Sequence, residues 1–226
     1  MKNKQTYAFF DVDGTIITIN SLLSFLEYFF KRHFNDVKGE RFKKYKAQVD
    51  SHDQNISREQ LNEEYYRNFA GVDIATIRNY GADWFSQVFE SKEVFNTTCL
   101  TKLRQHKQQN HNVVFVSGGF FATLEPLAKY LDVKFILCVE PNNRDGMLTG
   151  DINLNTQTIG MGKARAIRQF MQKQYVQHTQ LLQQSYAYGD HISDYDMLLV
   201  VGNPIVVGDD REMVAIANKN GWTILN

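Results

Sequence analysis

Several short apolar runs in this chain are followed directly by Asp, Gly or Ser, and helical patterns separate one run from the next. This alternation is typical of an α/β fold with a parallel sheet, in which ligands bind beyond the carboxyl ends of the strands. We therefore predict a parallel sheet, with the last two runs as further strands at or near its edge. The predicted strands cover residues 7–10, 113–116, 135–139, 185–188, 205–207 and 222–225.

The first two predicted strands are separated by roughly a hundred residues, far more than one crossover helix requires. Residues 17–92 follow a helical pattern throughout, with no proline and few glycines. A chain of 226 residues has room for one core with an inserted subdomain. We expect residues 17–92 to form a helical cap, and residues 1–16 and 93–226 to form the core.

The most apolar part of the predicted cap begins near residue 21, where Leu22, Phe25, Leu26 and Phe29 are spaced for one face of a helix. The stretch is too short to span a bilayer. We predict an amphipathic helix that packs on the rest of the fold. A second interpretation, that this face grips a lipid or another apolar substrate, stays open.

Charge and cysteine content restrict the class of protein. The chain carries 25 Lys and Arg against 25 Asp and Glu, so it lacks the basic excess typical of nucleic-acid-binding proteins. Cys99 and Cys138 match neither a metal-binding spacing nor a disulfide framework, and the N-terminus has no signal-peptide core. We expect a cytoplasmic protein with no nucleic-acid or membrane partner, and the sequence leaves its oligomeric state open.

The first chemical motif is Asp11 and Asp13, which directly follow the first predicted strand. Residues two apart near a strand end tend to project to the same side. One aspartate can attack phosphorus while the second protonates the leaving alcohol and later activates water. Because clustered carboxylates repel each other, the pair implies a metal ion. The alternative is a structural Asp-Gly turn after a buried strand.

Ser117, Gly118 and Lys163 suggest a phosphate site. Ser117 and Gly118 follow the second predicted strand, so a hydroxyl and backbone N–H groups can approach an anion there. Lys163 lies at the predicted start of a helix, where its ammonium can neutralise phosphate charge. Each of these residues also has a structural interpretation. Ser117 and Gly118 could simply be the small residues that a strand-to-helix turn needs, and Lys163 could be an ordinary surface lysine.

A last acidic motif follows the strand predicted at residues 185–188. Mg²⁺ prefers oxygen ligands and usually binds one or two carboxylates together with waters and a substrate phosphate. Asp190 suits direct ligation, while Asp194, one helical turn later, suits a supporting role that holds waters or Lys163. His191 is expected to be a loop residue beside the metal.

Four motifs follow one another along the chain: Asp11 with Asp13, Ser117, Lys163, and Asp190 with Asp194. In this order they resemble the motifs of the haloacid dehalogenase superfamily, specifically its subfamily IB phosphatases, over nearly the whole chain. An aspartate at position 13 is typical of the phosphatases and phosphomutases in that superfamily. The run from Ser117 to Phe120 and the segment from Asp145 to Asp151 are similar to phosphoserine phosphatases.

The resemblance implies a doubly wound α/β core with an inserted C1-type helical cap and a Mg²⁺-dependent phosphatase. Such enzymes hydrolyse small-molecule phosphate monoesters through a phospho-aspartyl intermediate. The implied roles are nucleophile for Asp11, acid and base for Asp13, metal ligation for Asp11, Asp13 and Asp190, support for Asp194, and phosphate binding for Ser117, Gly118 and Lys163.

The substrate positions depart from the phosphoserine phosphatase pattern. Those enzymes place a Glu nine residues after the nucleophile, where this chain has Asn20, and their cap arginine is matched only by Arg58 or Arg67 nearby. We therefore predict that phosphoserine is a poor substrate, with Asn20 and His191 as candidate substrate contacts. A phosphotransferase with the same residues and a non-catalytic regulatory relative are the alternatives, and the complete motifs argue against the latter.

Overall fold

The computed structural model describes residues 5–51, 56–90 and 93–226. Within them, six strands form one parallel sheet. The predicted α/β class with a parallel sheet is therefore confirmed. In sheet order the strands are β3 (Phe135–Cys138), β2 (Asn112–Ser117), β1 (Tyr7–Phe10), β6 (Tyr186–Gly189), β7 (Asn203–Val207) and β8 (Thr223–Leu225). Of the last two predicted strands, β8 lies at the edge and β7 lies inside the sheet.

Strand β1 is central and its four residues are all buried, because an unbroken apolar run suits a strand that is covered on both faces. Phe10 is in register with Phe115 of β2 and Tyr188 of β6. The chain continues from β1 with Asp11, whose backbone N–H donates to the Tyr188 carbonyl at 2.9 Å. The carboxyl ends of β1, β2 and β6 thus lie next to one another, on the same side of the sheet.

Helices cover both faces of the sheet, and alternate residues of β1 contribute to both. Phe10 belongs to the core cluster shared with α5 (Thr97–Gln108) and α6 (Phe121–Tyr130). Phe9 belongs to the cluster shared with α7 (Met161–Gln174) and α10 (Arg211–Asn220). Every second side chain of a strand points to the same face, so this alternation follows from strand geometry. The core helices are α5 (Thr97–Gln108), α6 (Phe121–Tyr130), α7 (Met161–Gln174), α8 (His178–Gln184), α9 (Tyr195–Leu198) and α10 (Arg211–Asn220).

Among the residues that the structure describes, four helices lie between β1 and α5, and we call them the inserted helices. Where the chain leaves the core and returns to it, the two segments pair: Thr18 N–H donates to the Val94 carbonyl at 2.8 Å, and Asn96 N–H to the Ile16 carbonyl at 3.0 Å. Residue 92, the expected end of the cap, lies outside the described residues, and the division into two domains stays a prediction. The inserted helices are α1 (Ser21–His33), α2 (Glu40–Ser51), α3 (Arg58–Arg67) and α4 (Ile74–Val88).

The apolar face of α1 packs inside the protein. The Phe25 ring contacts those of Phe69, Trp84 and Phe120, and Leu26 is fully buried. Close approach between helices contributes to this packing, since a Cβ at Gly81 of α4 would lie 2.1 Å from the Ala122 carbonyl oxygen. Phe25 and Leu26 are therefore core residues, which favours the packing interpretation of this helix over the substrate-gripping one.

A two-stranded antiparallel hairpin, β4 (Pro141–Arg144) with β5 (Met147–Ile152), was not expected from the strand pattern. It includes most of the segment that is similar to phosphoserine phosphatases. Leu148 of β5 pairs with the link between α3 and α4, accepting from Gly71 N–H at 2.7 Å and donating to the Val72 carbonyl at 2.9 Å. The hairpin therefore connects the core chain to the inserted helices.

In the described ranges, no helix is long and apolar enough to cross a membrane. Cys99 and Cys138 are free thiols, which agrees with the absence of a disulfide framework in the sequence.

Candidate active site

A cavity of about 310 Å³ opens where β1, β2 and β6 end. A larger one of about 740 Å³, beside β7 and β8, holds none of the predicted site residues. Most of the residues predicted from the sequence therefore converge on the smaller cavity. Its lining includes Asp11, Asp13, Asn20, Ser117, Gly118, Lys163, Asp190 and His191.

Lys163 connects two of the acidic residues. It is the third residue of α7, and its buried Nζ donates to Asp11 Oδ1 and to Asp194 Oδ1, each at 2.6 Å. Asp194 is fully buried and does not line the cavity. Its connection to Asp11 is the hydrogen bond that it accepts from Lys163. The structure thus brings Lys163 and Asp194 together, as the supporting role predicted for Asp194 requires.

The turn after β1 holds Asp190 in place. Thr15 Oγ1 donates to Asp190 Oδ1 at 2.9 Å. Gly14 has a φ of +83°, and a Cβ there would lie 2.2 Å from Asp190 Oδ2, so only glycine fits this turn. Asp194 Oδ2 accepts from the backbone N–H groups of Asp190 at 3.1 Å and His191 at 3.2 Å. The Asp-Gly turn is therefore both a structural turn and a wall of the acidic site.

The site has an excess of buried negative charge. Burial raises the pKa of Asp11 well above its ordinary value, and repulsion from Asp194 and Asp190 adds to the rise while Lys163 opposes it. Burial and Asp194 also raise the pKa of Asp190. Burial alone would lower the pKa of Lys163, but Asp11 and Asp194 raise it and keep the ammonium charged. One ammonium cannot balance three carboxylates.

The acidic residues also meet the geometric requirement for a cation site. One carboxylate oxygen from each of Asp11, Asp190 and Asp194 lies within 4.8 Å of the others. Carboxylate oxygens are the ligands that hard cations such as Mg²⁺ prefer. Geometry and excess charge both show that these residues fit a divalent cation.

Asp13 lies in the same cavity but has different partners. Its Oδ2 accepts from the backbone N–H of Ser21 at 2.9 Å and from Ser21 Oγ at 3.0 Å, at the start of α1. Its Oδ1 is buried and has no hydrogen-bond partner among the residues that the structure describes. Burial raises the pKa of Asp13 to about 6, against the lowering effect of Ser21. A carboxyl group with this pKa can both donate and accept a proton near neutral pH.

Ser117 and Gly118 begin the turn of residues 117–119, which we call the phosphate turn. Gly119 N–H donates to Ser117 Oγ at 3.0 Å, and Thr158 Oγ1 donates to the Ser117 carbonyl. From α3, Asn62 and Tyr66 both donate to the Gly118 carbonyl. The turn is therefore held by side chains from both the core and the inserted helices.

The outer part of the cavity is formed by residues at the starts of α1 and α3 and by the loop after β6. Asn20 caps α1, because its Oδ1 accepts from the Leu23 N–H at 2.9 Å. His191 accepts from the Ser193 N–H at 3.1 Å, and Arg58 Nη1 lies 2.6 Å from its Nδ1. His191 is thus a loop residue beside Asp190, as expected. Arg67, the second candidate for a cap arginine, is not among the residues that line the cavity.

Sequence reasoning missed the residues that support the motif side chains. Thr15 belongs to the first motif, but its contact with Asp190 was not predicted. Ser21 starts the next helix, so its proximity in sequence to Asp13 gave only a weak signal. Thr158, Asn62 and Tyr66 come from distant parts of the chain, and no local pattern indicates that they reach the phosphate turn.

Comparison with known proteins decides the family. The family model of haloacid dehalogenase-like hydrolases matches residues 8–199. The chain belongs to this family. A probable phosphatase of Mycobacterium tuberculosis is 28% identical over 227 residues, covering 98% of this chain and 75% of that protein. A phosphoserine phosphatase of the same organism is 25% identical over 224 residues, covering 96% of this chain and 69% of that protein. The resemblance to the haloacid dehalogenase superfamily and to phosphoserine phosphatases, inferred from the motifs, is confirmed.

Solved structures of other proteins superpose on this fold. A Bordetella pertussis protein of unknown function superposes with a TM-score of 0.85 at 18% identity, covering 98% of this chain and 99% of that one. A phosphoserine phosphatase, solved as an analogue of its phospho-aspartyl intermediate, gives a TM-score of 0.64 at 16% identity, covering 98% and 93%. At such identities these similarities establish the fold.

Proposed function

We propose that this hydrolase is a Mg²⁺-dependent phosphatase that acts on small-molecule phosphate monoesters through a phospho-aspartyl intermediate on Asp11. The observation that carries the proposal is the buried Asp11 carboxylate, 2.6 Å from Lys163, with Asp13 two residues later in the same cavity. The similarity to a probable phosphatase supports the reaction class.

Asp11 and Asp190, together with the backbone carbonyl of Asp13, would hold the metal ion. Asp194 has the supporting role, because one of its oxygens is bonded to Lys163 and the other to two backbone N–H groups. Bound there, Mg²⁺ would neutralise phosphate charge and hold the phosphate in line with Asp11.

In the first half of the reaction, an Asp11 carboxylate oxygen attacks phosphorus and the ester P–O bond breaks. Asp13 gives its proton to the leaving alkoxide, which departs as the alcohol. Lys163, Ser117 and the Gly118 N–H stabilise the charge on the other phosphoryl oxygens. The products at this stage are the free alcohol and a phosphate group bonded to Asp11.

In the second half, Asp13 takes a proton from a water molecule, which attacks phosphorus. The bond between phosphorus and Asp11 breaks, inorganic phosphate leaves, and both aspartates return to their starting states. Asp13 suits both steps because burial raises its pKa to about 6. Its Oδ1 is free of protein partners within the described residues, while Ser21 holds Oδ2.

The cavity favours the phosphate of a neutral alcohol over phosphoserine. Its volume of about 310 Å³ suits a small ester. Within the described ranges, the acidic side chains in its lining are Asp11, Asp13 and Asp190, all assigned to the reaction, so none of them remains for a substrate ammonium. Asn20, at the position of the missing glutamate, already uses its oxygen as a helix cap.

The test is phosphate release from a panel of phosphomonoesters with Mg²⁺, with EDTA and with Ca²⁺. We expect turnover with Mg²⁺, suppression by EDTA, and poor rescue by Ca²⁺, whose larger and looser coordination disturbs the attack geometry. Added alcohols serve as a control for phosphoryl transfer to an acceptor. Full turnover in the metal-free enzyme would contradict the site assignment.

A further inference from the structure

Two side chains of α3 bind the same carbonyl group of the phosphate turn. Asn62 Nδ2 donates to the Gly118 oxygen at 3.0 Å, and Tyr66 Oη donates to it at 3.1 Å. Both residues are buried, with exposed fractions of 4% and 1%. Because α3 belongs to the inserted helices, this contact joins the predicted cap to a loop of the core.

Holding this carbonyl fixes the groups on the other side of the peptide bond. The peptide unit is planar and trans, so the Gly118 carbonyl and the Gly119 N–H point in opposite directions. With the carbonyl turned toward α3, the Gly119 N–H donates to Ser117 Oγ at 3.0 Å. Ser117 Oγ then acts as an acceptor in the turn, and its own hydrogen is left to donate into the cavity.

Within the described residues, the Asn62 amide forms hydrogen bonds at only one of its two ends, through the Nδ2 that donates to the Gly118 carbonyl. Its Oδ1 is buried and accepts no hydrogen bond from the residues that the structure describes. A buried acceptor without a partner is destabilising. The Asn62 amide therefore costs stability at one end while its other end holds the Gly118 carbonyl.

We infer that Asn62 and Tyr66 are positioning residues that set the affinity of the site for phosphate by orienting the phosphate turn. They act through Gly118 and Ser117 and do not touch the substrate themselves. The inference rests on the proposed function in assigning Ser117 to phosphate binding. It adds that the inserted helices control the common phosphate group as well as the variable alcohol.

Tyr65 provides a matched control for Tyr66. Both tyrosines are buried on α3 and both pack against Phe120, with ring centroids 6.3 and 5.3 Å away. The Tyr65 hydroxyl, however, has no hydrogen-bond partner within the described part of the chain. Tyr66→Phe and Tyr65→Phe therefore remove the same atom from similar surroundings, but only the first change removes a hydrogen bond to the Gly118 carbonyl.

The experiment is calorimetric titration of the full chain with inorganic phosphate in the presence of Mg²⁺. We expect Tyr66→Phe to bind phosphate about 3- to 10-fold more weakly, the usual effect of one lost hydrogen bond. Tyr65→Phe should bind like the unmodified protein. Asn62→Leu, which keeps the shape but removes both the donor and the unpaired acceptor, should also weaken phosphate binding while its melting temperature does not fall.

The outcomes separate this inference from the proposed function, because binding requires no turnover. If the unmodified protein binds phosphate and both tyrosine variants bind it equally, the positioning role is wrong and the proposed function stands. Weaker binding by Asn62→Leu that accompanies a lower melting temperature would show a general structural effect and overturn the role of Asn62. If the unmodified protein does not bind phosphate, the proposed function fails and the inference fails with it.

Discussion

The two walls of the candidate active site differ in chemistry and in support. On the sheet wall, charged side chains are buried and bound to each other: Lys163 joins Asp11 to Asp194, and Thr15 holds Asp190. On the wall of the inserted helices, the lining is apolar, neutral or exposed, as at Leu22 and Arg58. The first wall suits the phosphate group common to all monoesters, and the second suits the alcohol, which varies.

Rigid placement explains why the chemistry lies on the sheet wall. Each acidic or phosphate-binding residue there follows a buried strand, or begins a helix that packs on one, so its position is set by the core. The wall of the inserted helices instead includes residues such as Asn20, the N-cap residue of α1, whose side chain is already engaged in the helix cap. Changes on the sheet wall should therefore affect catalysis far more than changes on the other wall.

The largest effect is expected for Asp11→Asn, which keeps the shape but removes the nucleophilic oxygen. We expect turnover to fall by at least about 1000-fold on every ester. The melting temperature without metal should not fall, because the change removes one of three mutually repelling carboxylates. Steady-state assays and thermal melts measure both quantities, and burst formation of a phospho-enzyme in this variant would refute the assignment.

Asp13→Asn should have a smaller effect that depends on the leaving group. Alkyl phosphates need a proton on the departing oxygen, so their hydrolysis should slow by about 100-fold or more. p-Nitrophenyl phosphate has a leaving group that hardly needs a proton. The reduction in its first-step rate should therefore be at least about tenfold smaller than the reduction for alkyl phosphates. Single-turnover rates of alcohol release measure that step, and equal losses on both esters would remove Asp13 from the acid role.

The substrate preference tests the wall of the inserted helices. A missing charge-assisted hydrogen bond costs about 1.5–3 kcal/mol, so phosphoserine should be roughly 10- to 100-fold less efficient than phosphates of neutral alcohols. Asn20→Asp should narrow this gap, because aspartate keeps the helix cap and adds an anion for the ammonium. The measurement is kcat/KM for both esters on one preparation. A clear preference for phosphoserine would mean that residues not identified above bind its ammonium and carboxylate groups.

The smallest effect is expected for Arg58→Gln at the rim. The Arg58 side chain is exposed and bonds to His191 and Ser193, and exposed polar contacts contribute little. We expect KM to change by no more than about fivefold and kcat to stay nearly constant. Michaelis curves on a neutral-alcohol phosphate measure this. A large loss of kcat would show that a residue of the inserted helices contributes to the catalytic step, and would contradict the difference proposed between the two walls.

The sheet wall was predictable from the sequence because its signals are local. The strand signal, the turn signal and the site residues are adjacent in the sequence. This holds for the apolar run before Asp11, for the Asp-Gly turn and for the small residues after Ser117. Parallel strands end at one edge, so the motifs needed no further information to meet there. Lys163 had the weakest signal by itself, and its position in the order of motifs supplied the rest.

The other wall was less predictable because its contacts are tertiary. Helical spacing identified an apolar face on α1, but whether Phe25 meets substrate or core depends on what packs against it. Asn62 appears as an ordinary polar helix residue, and only the fold brings it to Gly118. Strand β4, with the polar sequence Pro-Asn-Asn-Arg, carries no apolar alternation and was missed for that reason.

The most direct test of the central claim is to trap the intermediate. Rapid quenching of the enzyme with a radiolabelled phosphate ester should give a base-labile label on the peptide that contains Asp11. The label should be absent in Asp11→Asn and should persist longer in Asp13→Asn, which cannot activate the attacking water. A label on another residue, or hydrolysis by Asp11→Asn at the rate of the unmodified enzyme, would contradict the account.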